Sequence, residues 1–272
     1  MVSIVIPTFN SERTVERCLL SVTQQLAERD EVLVVDNHSS DQTVQIVERF
    51  GNVRLIEHGP ERTAQRNRGA GEAKCPFVFF VDSDMVLEPG LLSEIRDLEV
   101  SNAVDAAIVP EASFGTGFWG KVRILDKALA RGNPDLEAAR VFRLKIFDEL
   151  GGWNETMVSA EDWELHDRLV TAHGYVIRTE NWIWHDEGKP TYSAILRKRR
   201  YYAPDAWSYV QTSNRKVAGT LRRYTTQYAR PQLGKQPLTT LGLFFLRASE
   251  ALLMPYWLKT SRRTAAQVYR NS

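Results

Sequence analysis

An uninterrupted apolar run that ends in two carboxylates constrains the fold of this chain most. Residues 77–81 are Phe-Val-Phe-Phe-Val, and Asp82, Ser83 and Asp84 follow at once. Such a run is typical of a strand that is buried on both faces of a parallel sheet. Asp82 and Asp84 lie two residues apart, so their side chains share a face where the backbone is extended. Two such oxygen donors can hold a divalent metal, and the alternative is an ordinary solvated turn.

Strands and helices alternate along the chain before and after this run. The hydrophobic patterns predict strands at residues 2–6, 31–36, 53–56, 77–82 and 106–110, and helices at about 14–28, 44–47, 62–73, 91–101 and from 161 onward. Pro7 is expected to end the first strand, and Ser11 to cap the helix that follows. The alternation predicts an α/β fold with a doubly wound, mostly parallel central sheet flanked by helices.

Polar side chains stand where three of the predicted strands end. Thr8 and Asn10 follow the first strand, Asp36 ends the second, and Asp82 and Asp84 end the fourth. Ligands of doubly wound sheets bind beyond the carboxyl ends of the strands, so we expect these side chains to meet there. The first strand is followed by no glycine-rich loop, which argues against a dinucleotide fingerprint and a phosphate-binding P-loop.

Charge is distributed unevenly. The chain has 272 residues and a formal net charge of +1. Residues 197–272 hold 15 Lys and Arg against 2 Asp and Glu, a net charge of +13, so residues 1–196 carry −12. A basic C-terminal part indicates an anionic partner: a phospholipid surface, a nucleic acid or the acidic body itself. Of these three partners, we predict that the chain does not bind nucleic acid.

The two cysteines and the first residues indicate a cytoplasmic protein. Cys18 and Cys75 show neither metal-ligand spacing nor a disulfide framework, as expected in a reducing compartment. Residues 1–7 lack the basic region of a signal peptide and are interpreted as the first strand.

Four short motifs, in order over residues 1–90, resemble the nucleotide-sugar domain of family 2 glycosyltransferases, which have the GT-A fold. They are Pro7-Thr8-Phe9-Asn10, Val35-Asp36-Asn37-x-Ser39-x-Asp41-x-Thr43, Arg66-Asn67-x-Gly69 and Val81-Asp82-Ser83-Asp84. The resemblance implies a nucleotide-sugar site. In it, Pro7, Thr8 and Asn10 would line the base and ribose with Glu12 nearby, Asp36 would contact the base, and Arg66 the base or diphosphate. Asp82 would contact the ribose or the metal, Ser83 would belong to the same nucleotide-sugar site, and Asp84 would bind the metal. Each residue also has a purely structural interpretation, such as a turn cap or a surface cation.

A second group of motifs extends the resemblance to residues 151–165. Gly151 and Gly152 allow a close backbone approach to the sugar, and Glu161-Asp162 opens a helix. In inverting members of the family the Asp of this pair is the general base, so the resemblance assigns that role to Asp162 and donor-sugar binding to Glu161. The alternative is that two acids simply favour the first turn of a helix.

His185 is the third piece of the resemblance. Family members often complete the metal site with a His that follows a strand, and residues 182–186 read Trp-Ile-Trp-His-Asp. The implied ligands of Mn²⁺ or Mg²⁺ are therefore Asp84, His185 and Asp82. Asp186 is the competing ligand, and a structural histidine is the alternative.

Residues 238–258 are apolar enough to span a bilayer, but Arg247 and Glu250 stand at their centre and Pro255 interrupts them. We predict an amphipathic hairpin. It would dock on the body of the protein or lie on an anionic membrane at the inner face of the cell membrane. The alternative is a helix packed on the catalytic domain or on a second subunit of a homodimer.

The sequence thus predicts a catalytic domain over residues 1–190, with a nucleotide-sugar half (1–90) and an acceptor half (91–190), and a helical extension over 191–272. The predicted activity is that of an inverting hexosyltransferase. It would move a sugar from a nucleoside-diphosphate sugar, with UDP as the expected nucleotide, to a hydroxyl of a saccharide or lipid-linked acceptor in polysaccharide synthesis. The alternatives are transfer to a polyprenyl phosphate and a catalytically silent nucleotide-sugar-binding partner.

Overall fold

The computed structural model describes residues 1–100, 103–133, 136–212 and 233–260. In chain order its elements are β1 (Val2–Thr8), α1 (Val15–Thr23), β2 (Glu31–Asp36), α2 (Thr43–Val47), β3 (Val53–Glu57), α3 (Arg62–Gly71), β4 (Phe77–Phe80), β5 (Met85–Leu87), α4 (Leu91–Asp97), β6 (Ala106–Ile108), β7 (Glu111–Phe114), α5 (Gly117–Ala128), β8 (Val141–Arg143), α6 (Leu144–Glu149), α7 (Glu161–Thr171), β9 (Val176–Arg178), β10 (Ile183–Asp186), α8 (Tyr192–Thr212) and α9 (Pro237–Thr260).

A seven-stranded sheet in the order β3-β2-β1-β4-β8-β6-β9 organises the first part of the chain. β1 pairs in parallel with both β2 and β4, and β2 pairs in parallel with β3. β8 is antiparallel to both of its neighbours, while β6 and β9 run parallel. The predicted α/β fold with a mostly parallel central sheet is therefore confirmed, and β5 pairs with β10 outside this sheet.

Apolar side chains cover both faces of the sheet. Successive residues of a strand point to opposite faces. Accordingly, Phe77 and Phe79 of β4 belong to one hydrophobic cluster and Val78 and Phe80 to another. All four are buried, so the apolar run is a strand covered on both faces, as the sequence predicts.

The chain divides into two compact units. Unit 1 comprises Met1–Glu111, Ala138–Met157 and Glu161–Asp186, and holds the seven-stranded sheet. Unit 2 comprises Ala112–Glu137, Val158–Ala160 and Glu187–Ser272, and holds α5, α8 and α9. A domain boundary near residue 190 stays a prediction.

Several predicted element ends are wrong. β1 continues through Pro7 to Thr8. Its pairing with β4 ends at Val5, so the sheet loses no hydrogen bond to β4 because Pro7 lacks an N–H. Ser11 does not cap α1 through its side chain, since α1 begins only at Val15 and the Ser11 hydroxyl bonds Phe9 O and Ser83 Oγ.

β10 includes His185 instead of ending before it. The predicted fourth strand is two residues too long, because β4 ends at Phe80 and Asp82 lies in the turn that follows. Asp82 and Asp84 therefore do not have the extended backbone of a strand, which would have placed their side chains on one face.

The predicted hairpin at 238–258 is also wrong, because α9 is one helix that runs through Pro255. Pro255 is exposed and lies in the last two turns, where the carbonyl it leaves unbonded can be solvated. By length and composition α9 could cross a membrane, the single helix in the described ranges that could.

Candidate functional site

The ends of β1 and β2 are joined by a buried carboxylate. Asp36 is buried, and its Oδ1 accepts hydrogen bonds from Thr8 Oγ1 at 2.7 Å and Ser39 Oγ at 2.6 Å. Its Oδ2 accepts one from Ser39 N at 2.7 Å. In this structure Asp36 therefore holds the loop after β2 against the end of β1, and contact with a nucleotide base stays a prediction.

Asn10 and Glu12 tie the same two loops together further out. Asn10 has a φ of 47°, a left-handed conformation that Asn tolerates better than most residues, and its Oδ1 accepts a hydrogen bond from Ser40 N at 2.9 Å. Glu12 Oε2 accepts one from Gln42 N at 3.1 Å. With Pro7 at the end of β1, the predicted base and ribose residues are thus brought together at one edge of the sheet.

Arg66 is the centre of a second group, which we call the Arg66 cluster: Arg62, Arg66, Asp82, Glu161 and Asp162. Arg66 is fully buried, and its Nη2 donates to Asp82 Oδ1 at 2.6 Å. Its Nη1 donates to Asp162 Oδ1 at 3.2 Å and lies 3.5 Å from Glu161 Oε1, which Arg62 also contacts. The cluster joins the acids after β4 to the first turn of α7.

The remainder of the Arg66-Asn67-x-Gly69 motif holds α3 in place. Asn67 Nδ2 donates to Trp153 O at 2.9 Å, and Trp153 N donates to Asn67 Oδ1 at 2.8 Å. A Cβ at Gly69 would lie 2.4 Å from Val5 Cγ1, so only glycine lets α3 lie this close to the sheet. Arg66 in turn lies with its guanidinium 4.7 Å from the centre of the Trp153 ring.

The predicted close approach at Gly152 also involves Asn67. Gly152 has a φ of 69°, and a Cβ there would lie 2.7 Å from Asn67 Oδ1. The structure thus explains this glycine by contact with a side chain of the protein, where the sequence predicts contact with a sugar.

The carboxylates of the Arg66 cluster differ in their acidity. Burial opposes ionisation of Asp82, but Arg66, Arg62 and Arg140 outweigh it and hold the pKa of Asp82 well below its usual value. Burial also opposes ionisation of Glu161, and Arg62 and Arg66 lower its pKa overall.

Asp162 responds in the opposite direction. Burial, reinforced by the charge of Glu161, raises the pKa of Asp162 despite the attraction of Arg66. Its side chain remains 31% exposed, whereas that of Glu161 is 2% exposed. Asp162 is therefore the most exposed carboxylate of the cluster, ahead of Asp82 at 17%, and it binds a proton more readily than an ordinary Asp.

A third group surrounds His185. Its Nε2 lies 2.9 Å from Asp84 Oδ2, and its Nδ1 lies 3.0 Å from Glu111 Oε1. Arg140 Nη2 donates to Glu111 Oε2 at 3.1 Å, and Arg140 Nη1 lies 3.6 Å from Asp82 Oδ2. Arg140 thereby links the His185 group to the Arg66 cluster.

Asp84 and His185 fit a divalent cation that takes its other ligands elsewhere. Asp84 Oδ1 is buried and accepts no hydrogen bond, as expected for a carboxylate oxygen that awaits a ligand. Over the described ranges no group of three or more His, Cys, Asp and Glu side chains is placed to hold a metal. Mg²⁺ and similar ions commonly take one or two protein ligands and complete their shell with substrate phosphate and water.

The predicted ligand Asp82 and the competing ligand Asp186 both face arginines. Both Asp82 oxygens face arginines, so Asp82 would have to leave one of them to become a ligand. Asp186 points to the other side of β10, where Arg13 and Arg17 hold its Oδ2. Ser83 Oγ lies 2.9 Å from Ser11 Oγ.

Sequence reasoning misses Arg62, Glu111 and Arg140. Arg62 lies one helical turn before Arg66, and this spacing on α3 could have revealed it. Glu111 is the first residue of β7 and Arg140 lies just before β8, and neither belongs to a recognisable motif. The antiparallel insertion of β8 between β4 and β6 brings Arg140 to Asp82, and the position of β7 beside β10 in the three-stranded sheet brings Glu111 to His185.

The strand order and the mostly parallel central sheet are those of a GT-A fold, and Arg66 joins Asp82 after β4 to the acidic pair that opens α7. The sequence matches the family described as Glycosyl transferase family 2 over residues 3–152, more than half of the chain, and the chain therefore belongs to this family.

Known relatives agree with this assignment. The poly(ribitol-phosphate) beta-N-acetylglucosaminyltransferase TarP of Staphylococcus aureus (strain N315) is 28% identical over 200 residues, which cover 66% of this chain and 60% of TarP. The chain thus spans less than two thirds of that relative.

Solved structures show the same fold. The structure of S. aureus TarS with UDP-GlcNAc is 19% identical, with a TM-score of 0.53 and coverage of 99% of this chain and 91% of that one. The mannosyltransferase PcManGT of Pyrobaculum calidifontis with GDP-Man and Mn²⁺ is 17% identical, with a TM-score of 0.59 and coverage of 95% and 83%.

Proposed function

We propose that this chain is an inverting glycosyltransferase that moves a sugar from a UDP-sugar to a hydroxyl of a saccharide or lipid-linked acceptor, with Asp162 as general base. The observation that carries the proposal is the placement of Asp162, which lies in the first turn of α7 at 3.2 Å from Arg66 Nη1 with its side chain 31% exposed. The directions of the pKa shifts agree, since arginines lower the pKa values of Asp82 and Glu161, whereas burial raises that of the partly exposed Asp162. A general base must combine access to its substrate with a pKa close to the working pH.

The strand-end residues and the relatives support a nucleotide-sugar donor. Thr8, Asn10 and Asp36 meet at the edge where doubly wound sheets bind ligands. TarS has been solved with UDP-GlcNAc, and TarP is named for transfer of N-acetylglucosamine. These support UDP as the nucleotide, and the identity of the sugar follows from the donor experiment below.

In the proposed reaction, an acceptor hydroxyl attacks the anomeric carbon of the donor while Asp162 removes the hydroxyl proton. A carbon–oxygen bond forms to the acceptor as the bond to the nucleoside diphosphate breaks, and the diphosphate leaves with the electron pair. One displacement without a covalent intermediate inverts the anomeric centre. Arg66 and Arg62 supply positive charge beside Asp82, Glu161 and Asp162. Glu161 is proposed to contact the donor sugar.

Asp84 and His185 are proposed to hold Mn²⁺ or Mg²⁺. A bound cation would stabilise the charge that develops on the departing diphosphate. Glu111 would keep the ring of His185 oriented, since it lies at Nδ1 and leaves Nε2 for the cation. Asp82 then serves to position Arg66, in keeping with its 2.6 Å contact.

The test measures binding and turnover across UDP-, GDP- and dTDP-sugars with Mn²⁺, with Mg²⁺ and with a chelator. Binding of one UDP-sugar that the chelator weakens, together with transfer to a hydroxyl acceptor that Asp162→Asn abolishes, is the expected result. Transfer to a polyprenyl phosphate that survives Asp162→Asn would replace the hydroxyl acceptor, because a phosphate is already anionic. Binding of a donor without turnover of any acceptor would leave a silent nucleotide-sugar-binding protein.

A further inference from the structure

Unit 2 is built around α9, which is fixed by ion pairs along one face. Asp126 of α5 contacts Arg247 of α9, and Arg247 also contacts Glu250. Arg199 of α8 lies 3.0 Å from Glu250 and 3.6 Å from Asp126, while Arg123 lies 3.6 Å from Asp126. We call this group the Asp126 cluster: Arg123, Asp126, Arg199, Arg247 and Glu250.

Apolar packing fixes the same face. Leu243 and Leu246 of α9 are buried against Val122 and Leu125 of α5. A Cβ at Gly242 would lie 2.5 Å from the Phe118 ring, so α9 and α5 lie in close contact. The two central charges of α9 are therefore used within unit 2, and this arrangement is that of a helix lying on the unit, not of one crossing a bilayer.

The opposite face of α9 is apolar and exposed. Leu238, Leu241, Phe245, Leu252 and Tyr256 recur at three-, four- and seven-residue spacings and so form one stripe, which we call the outer face. Leu241 is 65% exposed and Leu252 80%. The only acid of α9 is Glu250, which lies on the buried face.

Cations accompany the outer face at both ends. Lys259 is exposed in the last turn, and the Arg200 guanidinium lies 5.7 Å from the centre of the Tyr256 ring. Lys235 is exposed just before α9 begins. Residues 197–272 together carry a net charge of +13. An apolar stripe between aromatic and basic side chains complements a bilayer whose headgroups are anionic.

We propose that the outer face of α9 is a docking surface for an anionic phospholipid membrane, on which the helix lies in the plane of the interface. Leu241, Phe245 and Leu252 enter the boundary between headgroups and acyl chains, and the basic side chains contact the headgroups. The proposal does not depend on the glycosyltransferase reaction.

The first test is co-sedimentation of the full chain with phosphatidylglycerol–phosphatidylcholine vesicles and with pure phosphatidylcholine vesicles. We expect binding to the anionic vesicles that high salt weakens. We expect Leu252→Glu and Leu241→Glu each to reduce it about tenfold. The matched control is Leu20→Glu, which replaces a leucine that is 45% exposed in unit 1 and should bind as the unchanged chain does.

A second measurement does not depend on a destabilising charge. Both native cysteines are buried, so an environment-sensitive dye can be placed on Leu252→Cys, with Leu20→Cys as its control. Anionic vesicles should shift the emission of the first dye to the blue and leave the second unchanged.

Three results would overturn the proposal. The first is equal binding to neutral vesicles. The second is self-association without lipid that Leu252→Glu removes, because the outer face would then contact a second copy of the chain. The third is resistance of the membrane-bound chain to alkaline carbonate, because that would show α9 to span the bilayer.

Discussion

Both units bury a cluster of opposite charges, and the two clusters differ in what they leave accessible. In the Arg66 cluster of unit 1, Asp162 keeps 31% of its side-chain surface and has a raised pKa. In the Asp126 cluster of unit 2, Asp126 is 5% exposed and lies among three arginines that bind three helices together. Burial of ion pairs therefore does not distinguish a reactive site from a structural one. We propose that a partly exposed carboxylate with a raised pKa, such as Asp162, makes the distinction.

Asp162→Asn should produce the largest effect. Asparagine keeps the shape of the side chain but cannot accept the acceptor proton, so kcat for a hydroxyl acceptor should fall by about 10³-fold. The affinity for the donor should change little, as measured by calorimetry. An undiminished kcat would show that the accessible carboxylate of the Arg66 cluster is not the base.

Asp126→Asn makes the same chemical change in the other cluster and should affect stability instead. It leaves Arg123, Arg199 and Arg247 without their shared carboxylate, which should cost about 3 kcal/mol of unfolding free energy. Urea denaturation measures this loss. Activity per folded molecule should be retained, and a fall in kcat as large as that of Asp162→Asn would erase the distinction between the clusters.

Glu111→Gln should have a smaller and more specific effect. It removes the negative charge beside His185 Nδ1 and the ion pair with Arg140, so the affinity for Mn²⁺ should fall about tenfold. Titration of Mn²⁺ in the presence of the nucleoside diphosphate measures it. Glu187→Gln is the control, since Glu187 pairs with Arg123 and Lys127 in unit 2 and should leave metal affinity unchanged.

The smallest effect concerns pH. Asp162 must be ionised to act as base, and its pKa is raised, so kcat should fall as the pH drops through a value above the usual one of about 4. The pKa values of Asp82 and Glu161 are lowered, and these two acids stay ionised over the same range. A profile of kcat against pH, at saturating metal and donor, should therefore show one acid limb. Residual activity of Asp162→Asn with the same limb would assign it to another group.

Local pattern predicts the nucleotide half of the fold well. β2 begins and ends at the predicted residues, and β4 is buried on both faces, because period and hydrophobicity are properties of the segment itself. The same reasoning is wrong at Pro7 and at Pro255. Whether a missing N–H matters depends on a neighbouring strand or on solvent, and neither can be read from the local sequence.

The site shows the same limit. Asp82, Asp84 and Asp162 stand in motifs, whereas Arg140 reaches the site because β8 pairs antiparallel with β4 and with β6. Glu111 reaches it because β7 lies beside β10 in the three-stranded sheet. The split of pKa values within the Arg66 cluster depends on which acid is buried beside which arginine. That arrangement depends on contacts between residues about 100 positions apart, such as Arg66 and Asp162.

Gly69 carries a consequence for how such a chain can vary. The helix that bears Arg66 packs so closely on Val5 and Val35 that a single methyl group at position 69 would clash with them. A Gly69→Ala change would therefore displace the Arg66 guanidinium without altering any polar group. A smaller residue at position 5 would compensate for it. Positions 5 and 69 should behave as a genetic pair: each change is harmful alone, and the two are tolerated together.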